Sequence, residues 1–262
     1  LTEDGARVVQ DAQRIMTIIQ NWYLSSETEY NLNGNVHIQA TPSVCVAMSN
    51  TLILDMQKRY PNLSLFLHAT TPQHMLQIIS NSAVNIGICS YSQEKEEDFL
   101  KEASQHRKLN VEKLIEDKRC VMISTKNPLS NKPFFTKDEL KELTLAYYSD
   151  MTDDISEFYR IYFNPDRCFR LDSRESILQL VAEDGAVAIF PELTTRSSYF
   201  IKSGLIQAVP VKDMATKITY YLIYPDLKNL SLNEICMLDI IREKFTCCLT
   251  NGRACDCIEN DE

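Results

Sequence analysis

Apolar residues near the start of the chain recur at alternating steps of three and four, which is the spacing of one face of a helix. The pattern predicts one helix over residues 3–24, about 33 Å long at about 1.5 Å per residue. A polar stretch, SSETEYNLNGN, follows it at 25–35. We interpret residues 1–30 as a linker and dimerisation helix; an amphipathic helix that packs on its own domain is the alternative. The predicted dimerisation seam comprises Val9, Ala12, Met16, Ile19 and Tyr23.

After Gly34 the pattern changes to short apolar runs that alternate with helical periods. The segments that start at Pro42 and Thr71-Pro72 predict helices, since proline suits the first helical position. Such a β-α-β-α-β alternation implies right-handed crossovers and a parallel sheet. The first three predicted strands are VHIQA (36–40), LSLFLH (63–68) and NIGICS (85–90).

The alternation is interrupted by a charged segment, residues 93–108, which we expect to be an exposed loop or a short helix. Two β/α series separated by an interruption predict an α/β fold of two lobes. A helix over 231–248 closes the second series. The predicted strands of the second series are LIEDKRCVMIST (114–125), TLAYY (144–148), CFRL (168–171), VAIFP (187–191), IQAVPV (206–211) and ITYYLIY (218–224).

Composition narrows the classes of function. The 262 residues carry 27 Lys and Arg against 36 Asp and Glu, a net charge of −9. A net negative charge disfavours binding of this chain to nucleic acid, because phosphate binding needs clustered basic residues. With only 6 glycines, the chain has no closely spaced glycines of the kind that phosphate-binding loops need. No apolar run approaches the roughly 20 residues of a membrane span.

The nine cysteines are odd in number and mostly stand singly inside apolar segments. This usage is typical of reduced thiols, and it predicts a cytoplasmic location. Four of them lie in the tail TCCLTNGRACDC (246–257). A zinc or iron–sulfur site is the alternative there, but the spacing lacks the CxxC knuckle. We expect a cysteine-bearing tail over 251–262, with no metal and no cofactor.

Motifs of catalysis are missing from the sequence, which has neither HExxH nor GxSxG. Cys45 lies near a predicted helix N-terminus, where thiolates are stabilised, so a redox-sensing role is an alternative to a small buried residue. We therefore predict that the chain is not an enzyme. Surface or structural roles are expected for the four histidines, His37, His68, His74 and His106.

Hydroxyl side chains follow several of the predicted strands. Open α/β sheets bind ligands beyond the carboxyl ends of their strands, and a helix N-terminus there favours an anion. The alternative is helix capping, which Ser and Thr perform in many proteins. The predicted effector-binding residues are Thr41, Pro42, Ser43, Thr70 and Thr71 in the first lobe, and Ser124, Tyr148 and Ser173 in the second.

Five motifs, in order along nearly the whole chain, resemble the LysR-type transcriptional regulators without their N-terminal winged helix-turn-helix. The opening LTEDGARVVQDAQRIM is similar to the start of that family's linker helix. The chain departs from the family pattern at Ser82, Asn85, Asn127, Asp184 and Ala186. The other four motifs are GNVHIQATPS with LILDMQKRYPNLSLFL, TPQHMLQIISNSAVNIGI, CVMISTKNPLS and LQLVAEDGAVAIFPE.

The resemblance implies two Rossmann-like lobes as in type-2 periplasmic binding proteins, preceded by the linker helix. The first lobe would comprise residues 34–115 and 212–250, and the second residues 116–211. A small, anionic metabolite would bind between the lobes as the effector. DNA contact would be made by the N-terminal domain outside this sequence, and the chain would self-associate as a dimer or tetramer. A solute-binding protein of a transporter is the alternative function.

Overall fold

The structure is a computed structural model that describes residues 32–81, 84–106, 108–149, 159–196, 198–212 and 217–250. The predicted seam from Val9 to Tyr23 and the predicted tail over 251–262 lie outside these residues. The chain divides into two compact units. Of the described residues, unit 1 holds those from 32 to 91, 95 to 115 and 219 to 250, and unit 2 holds those from 92 to 94 and 116 to 218. The last boundary between the two units, at 218/219, therefore falls seven residues after the predicted limit at 211/212.

Strands and helices alternate along most of the described chain. Two 3₁₀ turns, Pro128–Asn131 and Leu227–Asn229, also lie in the described residues, and residues 159–162 are helical. In chain order the strands are β1 (Gly34–Ala40), β2 (Leu63–Ala69), β3 (Ile86–Ser92), β4 (Leu109–Ser124), β5 (Leu145–Tyr148), β6 (Cys168–Leu171), β7 (Ala188–Pro191), β8 (Ile206–Pro210) and β9 (Lys217–Pro225). The helices are α1 (Pro42–Arg59), α2 (Pro72–Ser80), α3 (Gln93–Gln105), α4 (Lys137–Leu140), α5 (Arg174–Ala182), α6 (Glu192–Arg196), α7 (Tyr199–Lys202) and α8 (Leu232–Thr250).

In unit 1 the sheet begins with three parallel strands. β1 pairs with β2 along its whole length, from Gly34 opposite Leu63 to Ala40 opposite Ala69, and on its other side with β3. The order then continues from β3 to β9 and β4. Proline occupies the first turn of both α1 and α2. The parallel β-α-β-α-β series predicted from the sequence is confirmed.

A glycine sets how closely α2 packs on β3. A Cβ atom at Gly87 would lie 2.6 Å from both Met75 Sδ and Ile79 Cδ1. Met75 and Ile79 are buried, so they have little freedom to move aside. The missing side chain at Gly87 therefore lets the helix approach the strand.

The charged segment after β3 is a 13-residue helix, α3, which is longer than the predicted loop or short helix. Phe99 and Ala103 are its buried residues, and their spacing of four puts them on one face. The Phe99 ring stacks on Tyr91 with 4.1 Å between the centroids. The prediction fell short because two apolar residues carry the packing of an otherwise charged segment.

In unit 2, β4 lies between two antiparallel neighbours. Cys120 stands opposite Phe190 of β7 and Pro210 of β8. β5 and β6 form a parallel pair, and the bridge between Leu145 and Val187 connects that pair to the strand β7. Two clusters of buried apolar residues, one around Met122 and Ile177 and the other around Ile123 and Phe135, form the interior of the unit.

Two of the departures from the family pattern contact each other in unit 2. Asp184 has a φ of 60°, in the left-handed region that favours glycine. Aspartate is among the residues that tolerate this conformation best. The Nδ2 of Asn127 donates to the Asp184 carboxylate at 2.8 Å. The two substitutions thus supply a hydrogen bond across the turn.

A charged cluster attaches α8 to the strands of unit 1. Arg242 donates from Nε and Nη2 to both carboxylate oxygens of Glu112 on β4, at 3.0 and 2.8 Å. The hydroxyl of Tyr224 on β9 donates to the same carboxylate at 3.0 Å. The Arg242 guanidinium holds the pKa of Glu112 below its usual range. The folded chain therefore binds a proton at the Glu112 carboxylate less readily than the unfolded chain does.

The variant Glu112→Gln should lose stability at neutral pH but little in acid. A lowered native pKa stabilises the fold above the unfolded pKa, about 4.3, and this contribution disappears as the pH falls through the native value. Because the pair is one-third exposed, we expect a loss of only about 1 kcal/mol or less. Urea unfolding at about pH 7 and about pH 3 measures the difference. Glu97→Gln, on an exposed face of α3, is the control, and an equal loss at both pH values would contradict the prediction.

Candidate functional site

Three hydroxyl groups meet at the carboxyl ends of β1 and β3 in unit 1. Thr41 Oγ1 lies 3.4 Å from Ser43 Oγ, and Ser43 Oγ lies 3.2 Å from Ser90 Oγ. Thr41 is 6% exposed, while Ser43 and Ser90 are half-buried. We call these three residues the hydroxyl cluster. Two of them were predicted from the sequence, and Ser90 was not.

The cluster sits at the N-terminus of α1, an 18-residue helix. The backbone amide of Thr41 donates to Ile88 O at 3.1 Å, which holds the residue at the edge of β3. Its side chain makes no capping hydrogen bond to the helix, and Pro42 occupies the first turn. The amides of Ser43 and Val44 thus receive no cap from Thr41. Such first-turn amides and the helix dipole favour a negative group.

The other predicted threonines of unit 1 are placed differently. Thr71 caps α2 by accepting from the amide of His74 at 3.4 Å. Thr70 is half-buried, and its amide donates to Ala40 O at 2.9 Å. Thr70 therefore follows β2 beside the end of β1, whereas the Thr71 hydroxyl already has a role in the helix.

In unit 2, Ser124 makes hydrogen bonds that stabilise the fold. Its side chain is fully buried, and its hydroxyl donates to Ala182 O at 3.1 Å. The same oxygen accepts from the amide of Lys126 at 3.2 Å. Both hydrogen bonds join segments of unit 2, so we do not retain Ser124 as a contact for a ligand.

Tyr148 and Ser173 follow strands of unit 2, as predicted. Tyr148, half-buried at the end of β5, meets the ring of Phe190 edge-on at 6.1 Å. Ser173 is exposed and caps α5 by accepting from the amide of Ser176 at 3.1 Å. The capping alternative thus applies to Ser173, while Tyr148 is the last residue of its strand.

Sequence reasoning missed Arg174, the first residue of α5. Its side chain is 8% exposed, and its guanidinium lies 4.5 Å from the centroid of Phe190. Nη2 donates to Thr194 O at 2.9 Å. Arg174 thus joins the start of α5 to the end of β7 and to α6. In the sequence, the only local indication of Arg174 was its neighbour Ser173, a residue type that often precedes a helix.

Burial raises the pKa of the cysteine thiols that the structure describes. Desolvation raises the pKa of Cys45, and it raises the pKa of Cys120 to about 12. Because the thiolate is the reactive form, a raised pKa slows oxidation. The environment of Cys45 therefore supports the interpretation as a small, half-buried residue over that of a redox sensor.

In the described part of the chain, no three His, Cys, Asp or Glu side chains are grouped so that they could hold a metal ion. No helix among the same residues is long and apolar enough to cross a membrane.

Two α/β units built from alternating strands and helices are typical of the type-2 periplasmic-binding-protein fold. A model of the LysR substrate-binding domain matches residues 31–246. The chain therefore belongs to the family of LysR substrate-binding domains, and the resemblance drawn from the five motifs is confirmed. No match was found among curated proteins.

Solved structures of LysR regulators share this fold. The reduced form of the OxyR regulatory domain from Pseudomonas aeruginosa is 13% identical with a TM-score of 0.61, and the match covers 80% of this chain and 95% of that one. Full-length BenM is 13% identical at a TM-score of 0.61, with coverage of 97% and 80%. The effector-binding domain of QuiR in complex with shikimate is 12% identical at a TM-score of 0.56, with coverage of 82% and 98%.

Proposed function

We propose that this chain is the effector-sensing region of a LysR-type regulator and that its effector is a small anion. The hydroxyl cluster at the start of α1 carries the proposal. Thr41, Ser43 and Ser90 offer hydroxyl donors beside the first-turn amides of an 18-residue helix. Carboxylates and inorganic oxyanions accept hydrogen bonds from such donors and complement the helix dipole. QuiR, a structural neighbour, was solved with shikimate.

The effector would act by preferring one conformation of the chain. A ligand shifts a two-state equilibrium only by its difference in affinity for the two states, and a few kcal/mol reverse a modest bias. A winged helix-turn-helix N-terminal to this sequence would convert the shift into altered DNA contact. We further propose a cytoplasmic location and self-association through the seam from Val9 to Tyr23.

A thermal-shift screen tests the effector class. Small organic acids, phosphate and sulfate are compared with uncharged amides of the same acids. A specific acid should raise the melting temperature progressively with concentration, as mass action requires. Amides that bind as well as their parent acids would contradict an anion site.

Variants of the hydroxyl cluster then locate the site. Thr41→Val, Ser43→Ala and Ser90→Ala should each weaken binding of the acid about tenfold or more, because a hydrogen bond to a charged group contributes about 1.5–3 kcal/mol. Ser64→Ala, an exposed position on β2, is the matched control. Isothermal titration calorimetry measures the dissociation constants. Unchanged affinity in all three variants would place the effector elsewhere.

A further inference from the structure

Two histidines face each other on the sheet of unit 1. His37 Nδ1, on β1, lies 3.1 Å from His68 Nε2, on β2. The ring centroids are 5.4 Å apart and the ring planes differ by 6°. The centroid separation exceeds the nitrogen separation by about the sum of the two ring radii, so both nitrogens lie near the line between the ring centroids. One nitrogen carries a hydrogen and the other a lone pair aimed at it.

The strands hold this pair in place. Parallel pairing puts His37 opposite Phe66, and the phenyl ring stacks on the imidazole at 4.7 Å with 10° between the planes. Phe66 is 44% exposed, and both histidines are exposed as well. The two exposed imidazoles are thus held next to each other by a pair of hydrogen-bonded strands.

The separation of the nitrogens suits two ligands of one metal ion. Two metal–imidazole bonds of about 2.05 Å whose ends lie 3.1 Å apart meet at roughly 98°. This angle lies between that of neighbouring octahedral ligands and that of tetrahedral ligands. Each exposed ring must turn by roughly 41° in its own plane for its lone pair to point at the ion, which takes the place of the shared hydrogen. Imidazole suits Ni²⁺, Cu²⁺ and Zn²⁺ among the divalent ions.

We propose that His37 and His68 form a binding site for a divalent late transition-metal ion such as Ni²⁺. The described residues include no group of three or more metal-binding side chains, so the protein supplies two ligands here and water completes the coordination. The pair is not part of the hydroxyl cluster, and the site does not depend on the proposed effector function.

Calorimetric titration with Ni²⁺ at about pH 7.5, where imidazole can give up its proton to a metal, tests the site. The background chain carries Cys247→Ser, Cys248→Ser, Cys255→Ser and Cys257→Ser, so that tail thiols do not compete. We expect one equivalent to bind. His37→Ala and His68→Ala should each lower the affinity at least about tenfold, since each removes one of two ligands. His74→Ala, at an exposed position on α2, should leave it unchanged.

Paramagnetic broadening of ¹H–¹⁵N NMR signals by Ni²⁺ locates the ion without any change to the histidines. We expect the loss of signal to centre on the amides around His37 and His68. Broadening centred elsewhere, or an unchanged affinity in His37→Ala and His68→Ala, would overturn the proposal. Either result would leave the effector hypothesis untouched, because that hypothesis is tested with acids and hydroxyl variants.

Discussion

The variant Phe245→Ala should lower the free energy of unfolding by about 3–5 kcal/mol, the usual loss when a buried phenylalanine becomes alanine. Phe245 lies on α8 and is fully buried. Its ring centroid is 5.6 Å from that of Tyr220 on β9, which is also fully buried. Removing the ring leaves a cavity between the helix and the sheet of unit 1. A loss of this size is a large part of the total stability of about 5–15 kcal/mol of a typical protein.

Urea unfolding followed by circular dichroism measures the effect of Phe245→Ala. Thr246→Ala is the matched control, because the next residue along the same helix is exposed and alanine favours a helix. A shift of the transition in the Phe245 variant alone confirms the packing of α8 on β9. Similar transitions for both variants would show that the ring is not buried in the folded chain.

The variant Arg174→Met should destabilise unit 2 by about 2–3 kcal/mol, although it keeps most of the side-chain volume. The change removes hydrogen bonds from a charged donor to Thr194, and leaving a buried partner unsatisfied costs about 1–3 kcal/mol. It also removes the guanidinium from the face of Phe190, a contact that contributes about 0.5–2 kcal/mol.

The variant Arg174→Lys tests whether the positive charge or the planar shape of the guanidinium stabilises unit 2. Lysine keeps the positive charge but has no planar fork to stack on Phe190 and bond to Thr194 together, so we expect much of the loss to remain. Arg160→Met is the control at an exposed arginine of unit 2. The measurement is again the urea midpoint. Full stability of the lysine variant would show that charge alone matters at this position.

Local chemistry made the first strands and helices predictable. Proline at position 42 and at position 72 marks the start of α1 and α2 because its fixed φ suits the first helical turn. The helix α3 was harder, since Phe99 and Ala103 give it only a narrow apolar face. The seam from Val9 to Tyr23 stays a prediction.

The hydroxyl cluster was predictable only in part. Thr41 and Ser43 follow the first strand directly, so the rule for strand ends found them. Ser90 lies 47 positions after Ser43, and a serine near the end of a strand is common. Only the pairing of β1 with β3 brings the two hydroxyls together. Arg174 was missed for a similar reason, because its partner Thr194 is 20 positions away.

The sequence by itself determined the order of the elements, the starts of the first helices, the two α/β series and the family. These depend on residues that are close along the chain, where periodicity, proline and capping act. The tertiary structure decided which polar groups meet: the hydroxyl cluster, the pair His37 and His68, and the contact of Asn127 with Asp184. Such meetings depend on strand pairing between distant segments, and that pairing is set by the burial of both partners together.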